Sequence, residues 1–506
     1  MSPSTKPLGS ISDILQALTT GDVTVSDVLA RHESAIGQLD RNGPVLNSVL
    51  ALAPERGEQA RALERQGPGP DRPLFGAPIL IKDNLITAGA LPTTGGSLAL
   101  AEWRPNEDAP AVAGLRKAGA LVFGKTNLSE WANFRSTRST SGWSSIGGQT
   151  RNPHVLNRNP SGSSSGSAVA VSAGLCAGAV GTETDGSITS PASTNGIVGI
   201  KPTVGLVSRR GIIPISHRQD TAGPMARSVR DAALMLAAMA GSDPGDPATE
   251  RIPEDFDPRL ERHLGAADLT DLRIGAMATP NWLLPQAGPV YAAALELLRQ
   301  AGARMVDGLE AEVENWGAQE QLALKTEFRM GLESFLAGQK VEPPFRTLNE
   351  LIEFNCRHAD DVMPLFGQEI LLDAEKADPA DPAYAQAVED LAHLCRDEYL
   401  LHLLDGQGVD VLVAPTCNPA TAVDHLHGTR MTGSFFSPSA VAGFPHVSVP
   451  MGFVQHLPIG LSFVGRPFSE PTLLRVADCF ERNLDLSIEP QFIDTLEAWP
   501  QSEGQA

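Results

Sequence analysis

The chain has 506 residues and carries 39 Lys and Arg against 60 Asp and Glu, a net charge of −21. Phosphate backbones and anionic bilayers are held by clustered Lys and Arg. This balance, with no local basic patch, excludes nucleic acid and membrane surfaces as expected partners. An apolar share of 42% with 20% charged residues is that of a globular chain and excludes disorder.

In chain order, residues 10–40 read as two short helices, with Thr24 and Ser26 polar near the start of the second. From residue 74 apolar runs alternate with helical stretches. The runs Ala77–Ile81, Ala120–Phe123, Ile197–Ile200, Val409–Ala414, Val447–Pro450 and Gly460–Val464 read as buried strands. Ala109–Ala118 and Ser228–Ala240 read as helices between them. Residues 241–263, rich in Pro, Asp and Glu, read as a surface loop. Residues 285–405 read as mostly helical, including Val290–Ala301 and Ala385–Leu404. Strands interleaved with helices predict an α/β fold whose sheet is covered on both faces. Without an internal repeat, 1–506 is expected to form a single domain carrying a helical excursion.

The five cysteines, Cys176, Cys356, Cys395, Cys417 and Cys479, are scattered and never form CxxC. They read as reduced structural thiols of a cytoplasmic protein. The first residues lack the apolar run of a signal peptide. Residues 159–182 are uncharged and long enough for a membrane span. Ser, Gly and Ala dominate them, so a span is rejected.

Three motif matches lack the context their chemistry needs. Gly119-Ala-Leu-Val-Phe-Gly124-Lys125-Thr126 fits a phosphate loop, but its four loop positions are strand-like where a flexible cradle should be. Gly162-Ser-Ser164-Ser-Gly166 fits a nucleophile elbow, but no strand precedes it. Asp424-His425-Leu-His427 offers metal-capable side chains without the three convergent ligands and supporting partners that a metal site needs. No metal and no cofactor are expected.

Three segments carry chemistry together. Lys82 directly follows the apolar run Ile79-Leu-Ile81. A lysine there either snorkels to solvent or, if desolvated, has a lowered pKa and serves as a general base. Ser163 lies in Pro160-Ser-Gly-Ser-Ser-Ser-Gly-Ser. Ser187 follows 24 residues later in Gly181-Thr-Glu-Thr-Asp-Gly-Ser-Ile-Thr-Ser. A serine hydroxyl is a weak nucleophile until a base lies within hydrogen-bond reach. A glycine-flanked turn lets backbone N–H groups face a developing oxyanion, worth ~2.7–4 kcal/mol per donor.

These segments resemble the amidase signature family. The match continues through Asn195-Gly-Ile-Val-Gly-Ile-Lys201-Pro, Gln219-Asp-Thr-Ala-Gly-Pro224, Ala442-Gly-Phe-Pro445 and Leu457-Pro-Ile-Gly-Leu-Ser-Phe463. It covers roughly residues 10 to 490. The resemblance implies one α/β/α unit around a twisted mixed β-sheet, with a catalytic core over 74–230 and residues 285–405 walling the substrate channel. It implies a Ser-Ser-Lys triad: Lys82 as base, Ser163 as bridge on a cis peptide bond, Ser187 as nucleophile. The oxyanion hole maps to Thr184, Asp185 and Gly186 with Ser187. The implied reaction is hydrolysis of a primary carboxamide through an acyl-enzyme.

Departures from the family pattern bear on substrate. Ser161-Gly-Ser-Ser-Ser-Gly166 replaces the commoner Gly-Gly-Ser-Ser-Gly-Gly, and Ser161 is expected to line the pocket. Thr189 stands where many members carry Arg, which leaves no cation there for an anionic substrate. Gly181-Thr-Glu-Thr-Asp-Gly-Ser-Ile and Gly211-Ile-Ile-Pro-Ile-Ser-His217 are worded most like the peptide amidase branch, which deamidates C-terminal carboxamides. A short peptide amide or small neutral amide is therefore the expected substrate, and a monomer or homodimer the expected state. The alternative is the glutaminase subunit of a tRNA-dependent amidotransferase.

Overall fold

A computed structural model describes residues 9–311 and 315–496. Its strands are β1 (Val49–Leu52), β2 (Pro78–Lys82), β3 (Leu121–Thr126), β4 (Trp143–Ser144), β5 (Gly148–Gln149), β6 (Gly178–Glu183), β7 (Val198–Lys201), β8 (Thr221–Ala226), β9 (Arg273–Met277), β10 (Arg304–Leu309), β11 (Val411–Pro415), β12 (His446–Val454) and β13 (Leu457–Val464). Apart from the β4–β5 hairpin they form one 11-stranded sheet, ordered β1-β3-β2-β6-β8-β7-β12-β13-β11-β9-β10. β2 runs parallel to β3 and β6. β6 through β11 along that order pair antiparallel, and β9 and β10 complete the far edge in parallel. The sheet is mixed and the fold is α/β.

Alternation along β2 shows why both faces are covered. Ile79 and Ile81 enter one apolar layer with the helices Pro110–Lys117 and Val229–Met239, while Leu80 enters the other with the helix Ser165–Ser172. Lys82 has the parity of Leu80, so period-2 geometry sends it toward the layer of the Ser165–Ser172 helix. Parallel pairing of β2 with β6 sets their carboxyl ends side by side. In open α/β sheets that edge is where sites are built.

The six expected strands are present within a few residues of their expected bounds, and the two N-terminal helices are Ile11–Thr20 and Val25–Ala35. Each of those helices starts with a capping box, at Ser10 and at Thr24. The acidic stretch 241–263 is a loop with two short 3₁₀ turns, Pro247–Arg251 and Leu260–His263. The described residues of 285–405 are mostly helical; β10 also lies there, and its Arg304-Met-Val-Asp-Gly-Leu309 sequence has too few apolar residues to read as a strand. β6 and β8 were also invisible to an apolar-run criterion. They are Gly- and Ala-rich because neighbours crowd them: a Cβ on Gly223 would lie 2.0 Å from the Ile200 carbonyl oxygen. No helix among the described residues is long and apolar enough to cross a membrane.

One buried cation ties the helical layer to the core. Arg135 is fully buried; its Nη1 donates to Glu130 Oε1 at 2.6 Å and to the Val362 carbonyl at 2.7 Å. Its guanidinium also lies 4.3 Å from the Phe366 ring centroid. Removing one partner of such a pair leaves a buried charge uncompensated. Arg135→Met is therefore expected to lower unfolding free energy by about 3–5 kcal/mol, measured by urea denaturation, with the 362–370 segment the first to gain amide exchange.

Candidate active site

The site assembles at the carboxyl ends of β2 and β6. Lys82, the last residue of β2, has no exposed surface. Its Nζ lies 2.8 Å from Ser163 Oγ, 2.8 Å from Thr182 Oγ1 and 3.2 Å from the Thr182 carbonyl oxygen. Asn84 Nδ2 donates to the same Thr182 Oγ1 at 2.9 Å. Burial is the main influence on the amine and lowers its pKa to about 7; the nearby Asp220 and Glu183 carboxylates oppose that shift. The snorkelling reading of Lys82 is thereby closed.

Ser163 is joined to Gly162 by a cis peptide bond and lies two residues before the helix Ser165–Ser172. Its hydroxyl is wholly buried. Ser187 sits at the end of the turn after β6 and is 8% exposed, toward a cavity of about 390 Å³ that it lines with Gly162, Thr184, Asp185 and Gly186. The Ser164 N–H donates to the Ser187 carbonyl at 3.2 Å, which pins the two serine segments together. The structure thus joins Lys82 to Ser163 directly and holds Ser187 beside them. Among the described residues, the Ser187 hydroxyl makes no protein hydrogen bond, so it is not bonded to Ser163 in this state.

The turn itself is free to receive a ligand atom. Among the described residues, the N–H groups of Asp185, Gly186 and Ser187 donate to no protein acceptor. Gly186 has φ +73°, and a Cβ there would lie 2.3 Å from the Phe436 ring. Glu183 Oε2 accepts from the N–H groups of Ile188 and Thr189 at 2.7 and 2.9 Å, fixing the chain after Ser187. The Asp185 side chain accepts from Ser437 Oγ at 3.0 Å. Burial, Glu320 and Glu183 hold its carboxyl well above the usual range.

Ser161 lines the cavity and bonds Ser190 Oγ at 2.7 Å. Phe134 and Ile215 add to the walls, and Glu320, Leu324, Ile370, Met431 and Phe436 reach them from far along the chain. Among the described residues no Lys, Arg or His lines this cavity, and Thr189 is buried with its hydroxyl on Glu183. Thr182, Asn84, Gln219 and Asp220 are site residues that sequence reasoning left without a role. Thr182 and Asp220 both lie in segments that the family resemblance covers; no local signal marked the roles of Glu320 or Phe436.

The other motif candidates have structural partners. Lys125 is buried in β3, donates to the Leu85 carbonyl at 2.6 Å and pairs with Asp83 at 3.5 Å. Ser164 Oγ is bonded to the Thr182 backbone. His427 Nδ1 bonds Asp424 at 2.7 Å, and no metal-capable cluster occurs among the described residues.

A family model described as Amidase matches residues 32–474. The chain is 44% identical to the native peptide amidase of Stenotrophomonas maltophilia, with a TM-score of 0.89, 96% of this chain and 98% of that one covered. A probable amidase of Arabidopsis thaliana is 37% identical, covering 96% and 91%. A glutamyl-tRNA(Gln) amidotransferase chain of Nitratidesulfovibrio vulgaris is 33% identical, covering 94% and 96%.

The contact at Gly186 gives a direct check. Gly186→Ala is expected to lose about 1–3 kcal/mol through overpacking. In a double-mutant cycle with Phe436→Ala the two losses should be non-additive, with part of the Gly186→Ala loss recovered.

Proposed function

The chain belongs to the amidase family, and we propose that it hydrolyses a neutral primary carboxamide, foremost the C-terminal amide of a short peptide, through Lys82, Ser163 and Ser187. The observation that carries this reading is the buried Lys82 amine bonded to Ser163 directly behind a cavity lined by Ser187. A neutral amine has two N–H donors and one lone pair. The Thr182 carbonyl and hydroxyl oxygens take the donors, which leaves the lone pair for the Ser163 O–H.

Catalysis then follows as a proton relay. Ser187 Oγ turns onto Ser163 Oγ and attacks the amide carbon. Its proton passes to Ser163 as the Ser163 proton passes to Lys82. The substrate carbonyl oxygen becomes an oxyanion held by the free N–H groups of the 184–187 turn. Ser163 protonates the leaving nitrogen and recovers its own proton from Lys82. Ammonia departs and the acyl group stays on Ser187. Water attacks that ester along the same relay, giving the carboxylate and restoring the serine.

Substrate class follows from the walls. A cavity with no lining cation among the described residues gives an anionic group near the scissile bond nothing to pair with. That argues against free glutamine and for an uncharged amide. The apolar Phe134, Leu324, Ile370 and Phe436 suit side chains of a peptide. Residues 320, 321, 324 and 370 bring the helical stretch into this channel.

Ammonia release from a C-terminally amidated dipeptide, a small aromatic amide, a small aliphatic amide and free glutamine tests the reading. The dipeptide amide should lead, and Ser187→Ala should lower kcat by about 10⁴-fold or more. Turnover of glutamine alone would favour the amidotransferase reading, and equal activity of variant and parent would overturn the nucleophile. Because Lys82 must be neutral to accept a proton and titrates at about 7, kcat/KM should rise with pH through that value.

A further inference from the structure

Asp220 has no part in the relay itself, yet it is bonded to the turn and the wall around it. The β6–β8 register pairs Glu183 with Thr221, so Asp220, just before β8, comes level with Thr184 at the start of the turn. Thr184 Oγ1 donates to Asp220 Oδ1 at 2.6 Å. The N–H groups of Ile215 and Ser216 donate to Oδ2 at 2.8 and 3.0 Å. Ile215 forms part of the cavity wall. The neighbouring Gln219 strengthens the clamp, with Nε2 donating to the Thr184 carbonyl at 3.2 Å and to Glu320 Oε1 at 3.1 Å. One buried carboxylate therefore binds the oxyanion turn, the facing wall and, through its charge, Lys82.

We propose that Asp220 is a positioning residue that holds the Thr184–Ser187 turn against the Ile215 wall and biases the charge state of Lys82. The inference rests on the reading of Lys82 and Ser187 as base and nucleophile. Burial raises the Asp220 carboxyl to about 6 and lowers the Lys82 amine to about 7. Two other carboxylates face this pair: Glu183 acts on Lys82, and Glu327 acts on Asp220. Glu327 is itself bonded by Arg218, Ser216 and Tyr384, so its charge is shared out. The sign follows from Coulomb attraction. Removing the Asp220 charge withdraws support from the Lys82 ammonium, so the amine loses its proton at lower pH.

A carboxylate with only a structural task would affect folding and kcat but not the pH at which activity appears. The test compares kcat/KM against pH from 5 to 9 for the parent, Asp220→Asn and Thr184→Val, using a dipeptide amide, with thermal melts to confirm folding. Asp220→Asn should move the acid limb down by about one pH unit and lower plateau kcat by about ten- to a hundredfold. Thr184→Val removes the hydrogen bond but no charge, so kcat should fall with the limb unmoved. A folded Asp220→Asn with the parental limb overturns the proposal. Should Asp220→Asn not fold, Asp220→Glu keeps the charge at a displaced position: the limb should stay and kcat fall, whereas parental kcat in both Asp220→Glu and Thr184→Val overturns it. Retained activity in Ser187→Ala would instead defeat the underlying reading.

Discussion

A lysine amine without solvent is the constraint on which the site depends. Water would hold Lys82 charged far above neutral pH. Placed at the end of a fully buried strand, it is brought to about 7 by desolvation, with Asp220 and Glu183 limiting the shift. Lys125, on the adjacent β3, shows what the same burial does with a different partner. It is ion-paired to Asp83 and donates to the Leu85 carbonyl and the Thr93 hydroxyl. Two neighbouring buried lysines thus differ in partner: one faces a carboxylate and the other a serine hydroxyl.

The sheet makes that placement possible. Parallel β2 and β6 deliver Lys82, Thr182 and the 184–187 turn to one edge, and antiparallel β8 begins there with Asp220 beside it. Gly and Ala in β6 and β8 let the strands and the Ser165–Ser172 helix approach closely. The walls arrive later in the chain. Arg135 clamps the 362–366 segment to the core, and Glu369 accepts from Ser136 and Thr137. Through these bonds, and the Ile370 N–H on the Arg135 carbonyl at 3.2 Å, a cavity-wall residue 183 positions after Ser187 is tied to the segment around Arg135.

What was legible in the sequence was local. Lys82 could be singled out because it ends an apolar run, and Ser163 and Ser187 because small-residue turns surround them. The six strands found have apolar runs, although the apolar run of β1, Val49-Leu-Ala-Leu52, was passed over. β6 and β8 escaped because close packing selects glycine and alanine, which leave no hydrophobic signature, and Pro224 within β8 argues against a central strand. β9 and β10 are short and mixed in polarity. Partners defined by register, such as Thr184 with Asp220, or by long-range packing, such as Gly186 with Phe436, exist only once the fold is formed. The absence of arginine at Thr189 was readable; the matching absence of a lining cation among the described residues was not.

The central claim is that Lys82 loses its proton near neutral pH, and its protonation can be observed directly. The chain has eight lysines, so 13Cε-lysine labelling gives a simple spectrum in which Lys82→Met identifies the Lys82 signal by its loss. The account expects that signal to titrate near pH 7. A Lys82 signal that remains that of an ammonium to pH 10 would contradict it.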